Sequence, residues 1–407
     1  MIEEMKDIFE LATGASKLVN ALLKLKTNNK NKDDNGAIIS SKGYYAQIGS
    51  SGFSAQIGSS GYYAQIGSSG NSAQIGSSGN YAQIGSSGDS AQIGSSGYYA
   101  QIGSSGFSAQ IGSSGYYAKI GSSGDSAKIG SSGFSAQIGS SGDYAQIGSS
   151  GDSAQIGSSG YYAQIGSSGN SAQIGSSGNS ARIGSSGDSA QIGSSGYYAQ
   201  IDSTGKFAVI SGIGFKSIAK GKKGSWITLA EYQRNGNYNG NTVWKVDFVK
   251  TEQIDGDRIK EDTYYTLYNH AFIEVEIIDN VETIILSRKK NVIKGLYLDS
   301  LKPCYVIEKG GVYSHGDTLK EAKESLIYKI TNRDKSEYEN YTLDTVVTFE
   351  DAIKMYRVIT GACEAGIRNF VEGLSKKKKK YTVAEIIKET AGQYGNEEFK
   401  KFFERGN

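Results

Sequence analysis

Between Ala37 and Ala219 an apolar pair two residues apart, Ala-x-Ile or a degenerate version of it, returns every nine residues without one insertion. Ile39, Ile48 and Ile57 open a register that Ile201 and Ile210 still keep, and Ser217-Ile218-Ala219 is the last copy. The full unit reads Gly-X1-X2-Ala-Gln-Ile-Gly-Ser-Ser, as in the stretch from Gly61 to Ser69. Apolar–polar–apolar alternation predicts a short strand with one face inward. The Gly-Ser-Ser-Gly that follows predicts a turn, with glycine expected to supply positive φ. Self-similarity at a short fixed period marks a stacked solenoid.

A second period sets the size of the coil. At X2, tyrosine occupies 45, 63, 81, 99 and 117, and serine occupies 54, 72, 90, 108 and 126. Two nonapeptides therefore make one turn, which predicts a parallel β-solenoid of 18-residue, two-sided coils over residues 37–221. About ten coils at ~4.8 Å each give a rod near 50 Å long. After Ser126 the phase slips: Ser135 breaks the series, and Tyr144, Tyr162 and Tyr198 fall in the other set. Open coils expose strand edges, so both ends need covers.

The periodicity changes outside the repeat. In residues 1–26, Ile2, Met5, Phe9, Ala12, Leu18, Leu22 and Leu25 recur at three to four, with charges between, which predicts an amphipathic helix that caps the first coil or self-associates. Residues 27–36 form a polar linker. Residues 222–407 read as an α+β domain. Ser225–Glu231 and Trp244–Val249 look like paired strands, Ile254–Ile259 holds an Asp-Gly turn, and Tyr264–Leu267 and Phe272–Ile278 extend the sheet. Helical spacing then covers Thr318–Ile330, Phe349–Ile359, Ala362–Leu374, Val383–Thr390 and Glu397–Phe403, with Thr318 and Thr382 as N-caps. The fold class is mainly β, with an N-terminal helix and a C-terminal α+β domain.

Composition narrows the function classes. The chain holds 55 glycines and a single proline, which excludes collagen-like and proline-rich disordered chains. A formal net charge of +2 marks the whole molecule as neither a nucleic-acid binder nor an acidic mimic. Residues 44–205 hold six Asp against two Lys and one Arg, too faint an acidity for DNA mimicry. Cys304 and Cys363 are too few for a disulfide framework and lack metal-site spacing, so free buried thiols are expected. Glu3, Glu4, Asp7 and Glu10 occupy the place of the basic start of a secretory signal, and no window approaches the ~20 apolar residues of a membrane span. A cytoplasmic location without membrane contact is expected.

Candidate chemistry is sparse. The repeat has alanine where calcium-binding nonapeptides need aspartate, and Thr204 is its only threonine, which argues against calcium and ice. His315, in Ser314-His315-Gly316-Asp317, has two neighbours able to orient it, but no nucleophile elbow accompanies it; a structural loop is expected. Neither catalytic residues, metal ligands nor a cofactor are assigned. Two binding candidates remain. The tyrosines Tyr63, Tyr81, Tyr99 and Tyr117, with Tyr144 and Tyr162 after the phase slip, form candidate partner-binding stripes. Lys376, Lys377, Lys378, Lys379 and Lys380 form a dense basic run, either a solvated loop or an anion and nucleic-acid contact.

The stretch Gly214–Gly221 leading into Gly224-Ser-Trp-Ile-Thr-Leu-Ala-Glu231, followed by Ile254–Leu267, resembles a group of uncharacterised repeat proteins of bacteriophages and prophages. Tyr356–Cys363 and Tyr381–Ile387, with Gly392-Gln-Tyr-Gly395, carry the same resemblance, which covers about half the chain. The family's longer N-terminal domain is replaced here by the short helix. The resemblance implies phage origin and no known catalysis. A weaker likeness runs to the Ala-x-Ile-Gly head repeats of trimeric surface adhesins. Together these readings lead to the expectation of a non-enzymatic protein acting stoichiometrically on a host protein or ribonucleoprotein complex, for example as a defence inhibitor. A virion- or tail-associated structural protein and a nucleic-acid-binding module are the alternatives.

Overall fold

The computed structural model describes residues 35–238, 241–330, 333–374 and 377–404. The helix expected over residues 1–26, nearly all of the linker, and Lys376 lie outside them. The chain forms two compact units divided between Phe272 and Ile273.

The first unit is a β-solenoid of about 11 turns. Each nonapeptide contributes one four-residue strand, such as Gln65–Ser68, in which Ile66 is buried. Every strand pairs in parallel with the strand 18 residues on: Ile57 lies beside Ile75, and Ile66 beside Ile84. Odd and even nonapeptides thus build two separate sheets, and the Ala and Ile of both form one continuous core. The two-sided 18-residue coil is as the tyrosine alternation predicts.

The glycines of the corner serve a different purpose from the one expected. Positive φ is adopted by X2, serine or tyrosine in nearly every copy, at +53° to +58° from Ser54 to Lys216. This left-handed geometry costs a non-glycine about 1 kcal/mol. It aims the X2 amide along the rod, where Tyr63 N–H donates to the Asn80 carbonyl at 3.0 Å and Ser72 N–H to Asp89 at 2.8 Å. The corner glycine is instead demanded by close approach between coils. A Cβ on any of them from Gly61 to Gly214 would stand 1.8–2.1 Å from the carbonyl oxygen of the glycine one coil earlier.

The acidic and amide residues at X1 also have a structural task. Asn71 Oδ1 accepts from Asp89 N–H, Asp89 Oδ1 from Phe107 N–H, and Asp143 Oδ1 from Tyr161 N–H, each one coil further on, at 2.8–2.9 Å. The rod's faint acidity is thereby tied to coil-to-coil hydrogen bonding.

Residues 222–272 belong with the solenoid, so this unit extends beyond the last repeat copy. Trp226–Tyr238 continues one sheet in parallel with Val209–Gly212 and returns antiparallel as Asn241–Gln253. On the other sheet, Tyr264–Tyr268 pairs antiparallel with Ile218–Lys220, Ala219 facing Tyr265. Ile254, Ile259, Tyr265 and Leu267 join the solenoid core and seal its end. The expected turn at Ile254 is closed by Asp255, whose carboxylate accepts from the amides of Asp257, Arg258 and Ile259.

The second unit is an antiparallel meander followed by helices. Strands Val281–Lys289, Val292–Tyr297, Pro303–Lys309 and Val312–Gly316 pair in sequence order, and Ala271–Ile278 flanks the first of them. Five helices follow: α1 (Leu319–Ile330), α2 (Phe349–Thr360), α3 (Glu364–Gly373), α4 (Val383–Glu389) and α5 (Asn396–Glu404). Ala322 and Leu326 of α1 pack on Ile307, whereas Met355, Tyr356 and Ile359 of α2 pack with Val383, Ile386 and Phe399. Thr382 caps α4 in a reciprocal pair with Glu385, and Thr318 with Glu321 does the same at the start of α1. No helix among the described residues is long and apolar enough to cross a membrane.

Candidate functional site

The X2 corners carry the tyrosines as stacked ladders. Ring centroids of Tyr63–Tyr81, Tyr81–Tyr99 and Tyr99–Tyr117 are 5.0, 5.1 and 5.0 Å apart, with near-parallel planes. The spacing follows from the coil rise, since left-handed φ at X2 turns each side chain outward at the same corner. Tyr45 extends this ladder and Tyr117 ends it against Phe134, because serine follows at 135. Tyr144 and Tyr162 stack at 5.2 Å on the other corner series, as the phase slip predicts. All six candidate tyrosines are 38–51% exposed; Tyr63, Tyr81 and Tyr99 are stacked on both sides, whereas Tyr144 and Tyr162 stack only on each other. Stacking adds about 0.5–1.5 kcal/mol per pair, so the ladder also stiffens the corner. Next to it, X1 supplies further rings: Tyr44–Tyr62 at 5.3 Å and Tyr98–Tyr116 at 5.1 Å.

A second surface feature lies on the sheet that starts with Gln47–Ser50. There a Cβ added to any of the outward glycines from Gly49 to Gly193 would meet nothing within 4 Å, and these glycines floor a shallow channel beside the glutamine row. Nine strands at ~4.8 Å give it a length on the order of 40 Å.

Of the lysine run, Lys377, Lys378 and Lys379 are exposed between α3 and the short strand Lys380–Thr382. Lys378 pairs with Glu385 at 3.0 Å, and Lys380 lies opposite Thr348 in a two-stranded ribbon.

The two histidines part company. His270 is exposed, 3.1 Å from Asp247, with its ring tilted against Phe248. His315 sits in strand Val312–Gly316 rather than in a loop, and is 1% exposed. Its Nε2 meets Thr283 Oγ1 at 3.0 Å, and Asp317 turns away to Arg368 at 2.8 Å. Serine and aspartate therefore do not orient His315; a threonine from another strand does.

The fold brings His315 close to two residues that sequence spacing does not connect with it. Cys363, which caps α3 by accepting from Gly366 N–H at 3.3 Å, and Asp279, in the turn after Ala271–Ile278, place their donor atoms within 4.8 Å of the His315 ring and of each other. Lys329 from α1 reaches Asp279 at 2.6 Å and the Tyr313 carbonyl at 2.9 Å. Burial pushes the Asp279 carboxyl above its usual value, and Lys329 pulls it back. Burial, with Lys329 nearby, holds His315 at about 4, below its ordinary 6.5. Cys304 is buried in the same region, its thiol pushed up to about 12 by burial. Both cysteines are free and buried, as expected from their number.

The depressed value at His315 has a consequence for stability. The unfolded chain protonates this imidazole at ordinary pKa and the folded one does not, so folding loses free energy as pH falls from about 6.5 and stops losing it below about 4. The window corresponds to about 3 kcal/mol. Chemical denaturation of the second unit at pH 7 and pH 4.5 should show this loss, and His315→Gln should flatten that part of the profile; an unchanged slope would assign the acid sensitivity to other groups.

No family model, curated protein or solved structure matches the chain. What the fold defines is the class: a mainly β protein built on a nonapeptide β-solenoid.

Proposed function

We propose that this protein acts by stoichiometric binding, with the tyrosine ladder as its contact stripe. The observation that carries the reading is the ladder itself: Tyr63, Tyr81, Tyr99 and Tyr117 stand about 5 Å apart, half-exposed and already ordered. Tyrosines held by stacking lose little side-chain entropy on binding and supply large contact area, the properties of interface anchors. The phage resemblance of Gly214–Glu231 and of the C-terminal stretches supports a host protein or ribonucleoprotein complex as the partner, met in the host cytoplasm, with inhibition of a defence complex as the specific form. Residues 1–26, amphipathic in sequence, are proposed as a helix that caps the solenoid or joins two copies.

Replacing the four tyrosines by serine tests this directly. Serine occupies the same left-handed position in half the copies, so the coil accommodates it, and only the stacking contacts are lost. The expected result is a modest fall in thermal midpoint, an unchanged far-ultraviolet spectrum and loss of partner capture from host lysate. A second reading draws on the exposed Lys377, Lys378 and Lys379, which could contact nucleic acid. If capture survives the serine variant, is lost on lysine-to-serine substitution and is nuclease-sensitive, the rod is a spacer and the basic run is the binding end.

A further inference from the structure

We propose that Asp279, His315 and Cys363 form a binding site for a divalent metal of the zinc class. The three side chains come from a strand turn, a strand and a helix start, and their donor atoms lie within 4.8 Å of one another. Ligand atoms around tetrahedral zinc sit about 3.4–3.8 Å apart, so closing on the ion needs shifts of about 1 Å, within reach of side-chain rotation.

His315 supplies the independent argument. It is 1% exposed, and its Nδ1 is buried with no hydrogen-bond partner among the described residues. A buried polar atom left unpaired destabilises the fold, and coordination would remove that cost. Its other nitrogen is already engaged: with the proton assigned to Nε2, the ring donates to Thr283 Oγ1 at 3.0 Å and presents a bare lone pair at Nδ1. Fixing one imidazole nitrogen by an outer hydrogen bond while the other binds metal is the usual arrangement of histidine ligands.

The donor set selects the ion. One thiolate sulfur, one imidazole nitrogen and one carboxylate oxygen suit zinc, cobalt or iron, and disfavour calcium and magnesium, which require oxygen throughout. Three protein ligands leave a fourth position for water; a small cleft lined by Asp279, Cys363, Gly366, Gln393 and Tyr394 reaches two of the three ligands, though not His315. Lys329 opposes a cation but does not block it. Its ammonium holds Asp279 Oδ2 and the Tyr313 carbonyl and lies 3.6 Å from the centre of the Tyr394 ring, so Oδ1 is the oxygen available to the metal. A bound ion would link the meander to α3 and stabilise the unit by its binding free energy.

The test uses full-length, metal-stripped protein titrated with Co2+ as a spectroscopic substitute for zinc. The expected result is one Co2+ per chain, with a near-ultraviolet thiolate-to-cobalt band that Zn2+ bleaches and a raised thermal midpoint. Cys363→Ser, nearly isosteric, should abolish the band and weaken binding at least tenfold while keeping the metal-free midpoint. Cys304→Ser, which changes the other buried thiol, should retain both. Asp279→Asn, made in the Lys329→Met background so that no buried ammonium is left without its partner, should weaken binding tenfold or more relative to Lys329→Met alone. Absence of a stoichiometric band, or a band that survives Cys363→Ser, overturns the site. So does a protein that takes up no metal while Cys363 alkylates faster than Cys304 in a His315-dependent way, since the cluster would then be a reactive thiol–imidazole pair.

Discussion

Gly88→Ala is expected to destabilise the solenoid by about 2–4 kcal/mol, whereas Gly85→Ala, three residues earlier in the chain, should be neutral or slightly stabilising. A Cβ at Gly88 would lie 2.1 Å from the Gly70 carbonyl oxygen and 2.5 Å from the Gly70 carbonyl carbon, both backbone atoms of the preceding coil. No rotamer change relieves such an overlap, and the coil spacing is fixed by hydrogen bonds on both sides of the corner, including Ser87 N–H to Ser68 O at 3.0 Å. At Gly85 the added methyl meets nothing within 4 Å, and replacing a strand glycine by alanine removes about 0.5–1 kcal/mol of backbone entropy cost. Thermal unfolding of the two variants, read by the far-ultraviolet strand signal, separates the two demands on glycine. Equal losses would mean that strand curvature, not the corner approach, limits the repeat.

The repeat shows how much a period alone can reveal, and what it conceals. Ala and Ile two apart every nine residues are enough to place every strand, and the Tyr/Ser alternation is enough to give two strands per coil, because stacking forces residues 18 apart into register. The same period does not say why glycine recurs. Positive φ and close approach both select glycine, and only the geometry of neighbouring coils distinguishes them, here by assigning positive φ to Tyr63 and Ser72 and close approach to Gly61 and Gly70. In the second unit the helices were readable because local signals mark them, such as Thr382 with Glu385. The strands from Val281 to Gly316 were not, since adjacent apolar residues, Ile284, Ile285 and Leu286 in Val281–Lys289 and Val306 with Ile307 in Pro303–Lys309, break the alternation that marks a strand. The Asp279, His315 and Cys363 cluster had no local signal at all. Each residue is isolated in sequence, and only the packing of α3 against the meander brings Cys363 to the histidine. The tyrosines, by contrast, were legible as a surface ladder because they sit inside the period.

Lys329→Met is expected to destabilise the second unit by about 3–5 kcal/mol, the largest single effect anticipated there. The Lys329 side chain is 2% exposed and spends its ammonium on Asp279 Oδ2 at 2.6 Å and the Tyr313 carbonyl at 2.9 Å, beside the Tyr394 ring. Methionine fills much the same volume without charge, so the loss is not a cavity effect. It comes from leaving Asp279, itself only 12% exposed in its side chain, as a buried carboxylate with no cation, together with an unpaired carbonyl. Asp279 would then rise further in pKa, in the direction burial already drives it, because the ammonium that pulls it back is gone. The double variant Lys329→Met with Asp279→Asn removes the stranded charge and should recover a substantial part of the loss. Lys320→Ala, at an exposed position of the same helix whose partner Glu324 is 3.8 Å away, should cost less than about 0.5 kcal/mol. Both tryptophans, Trp226 and Trp244, belong to the first unit, so their fluorescence does not follow this transition. Hydrogen exchange over residues 273–404 does, and an exchange pattern in Lys329→Met indistinguishable from that of Lys320→Ala would show that the ion pair contributes nothing to holding α1 on the meander.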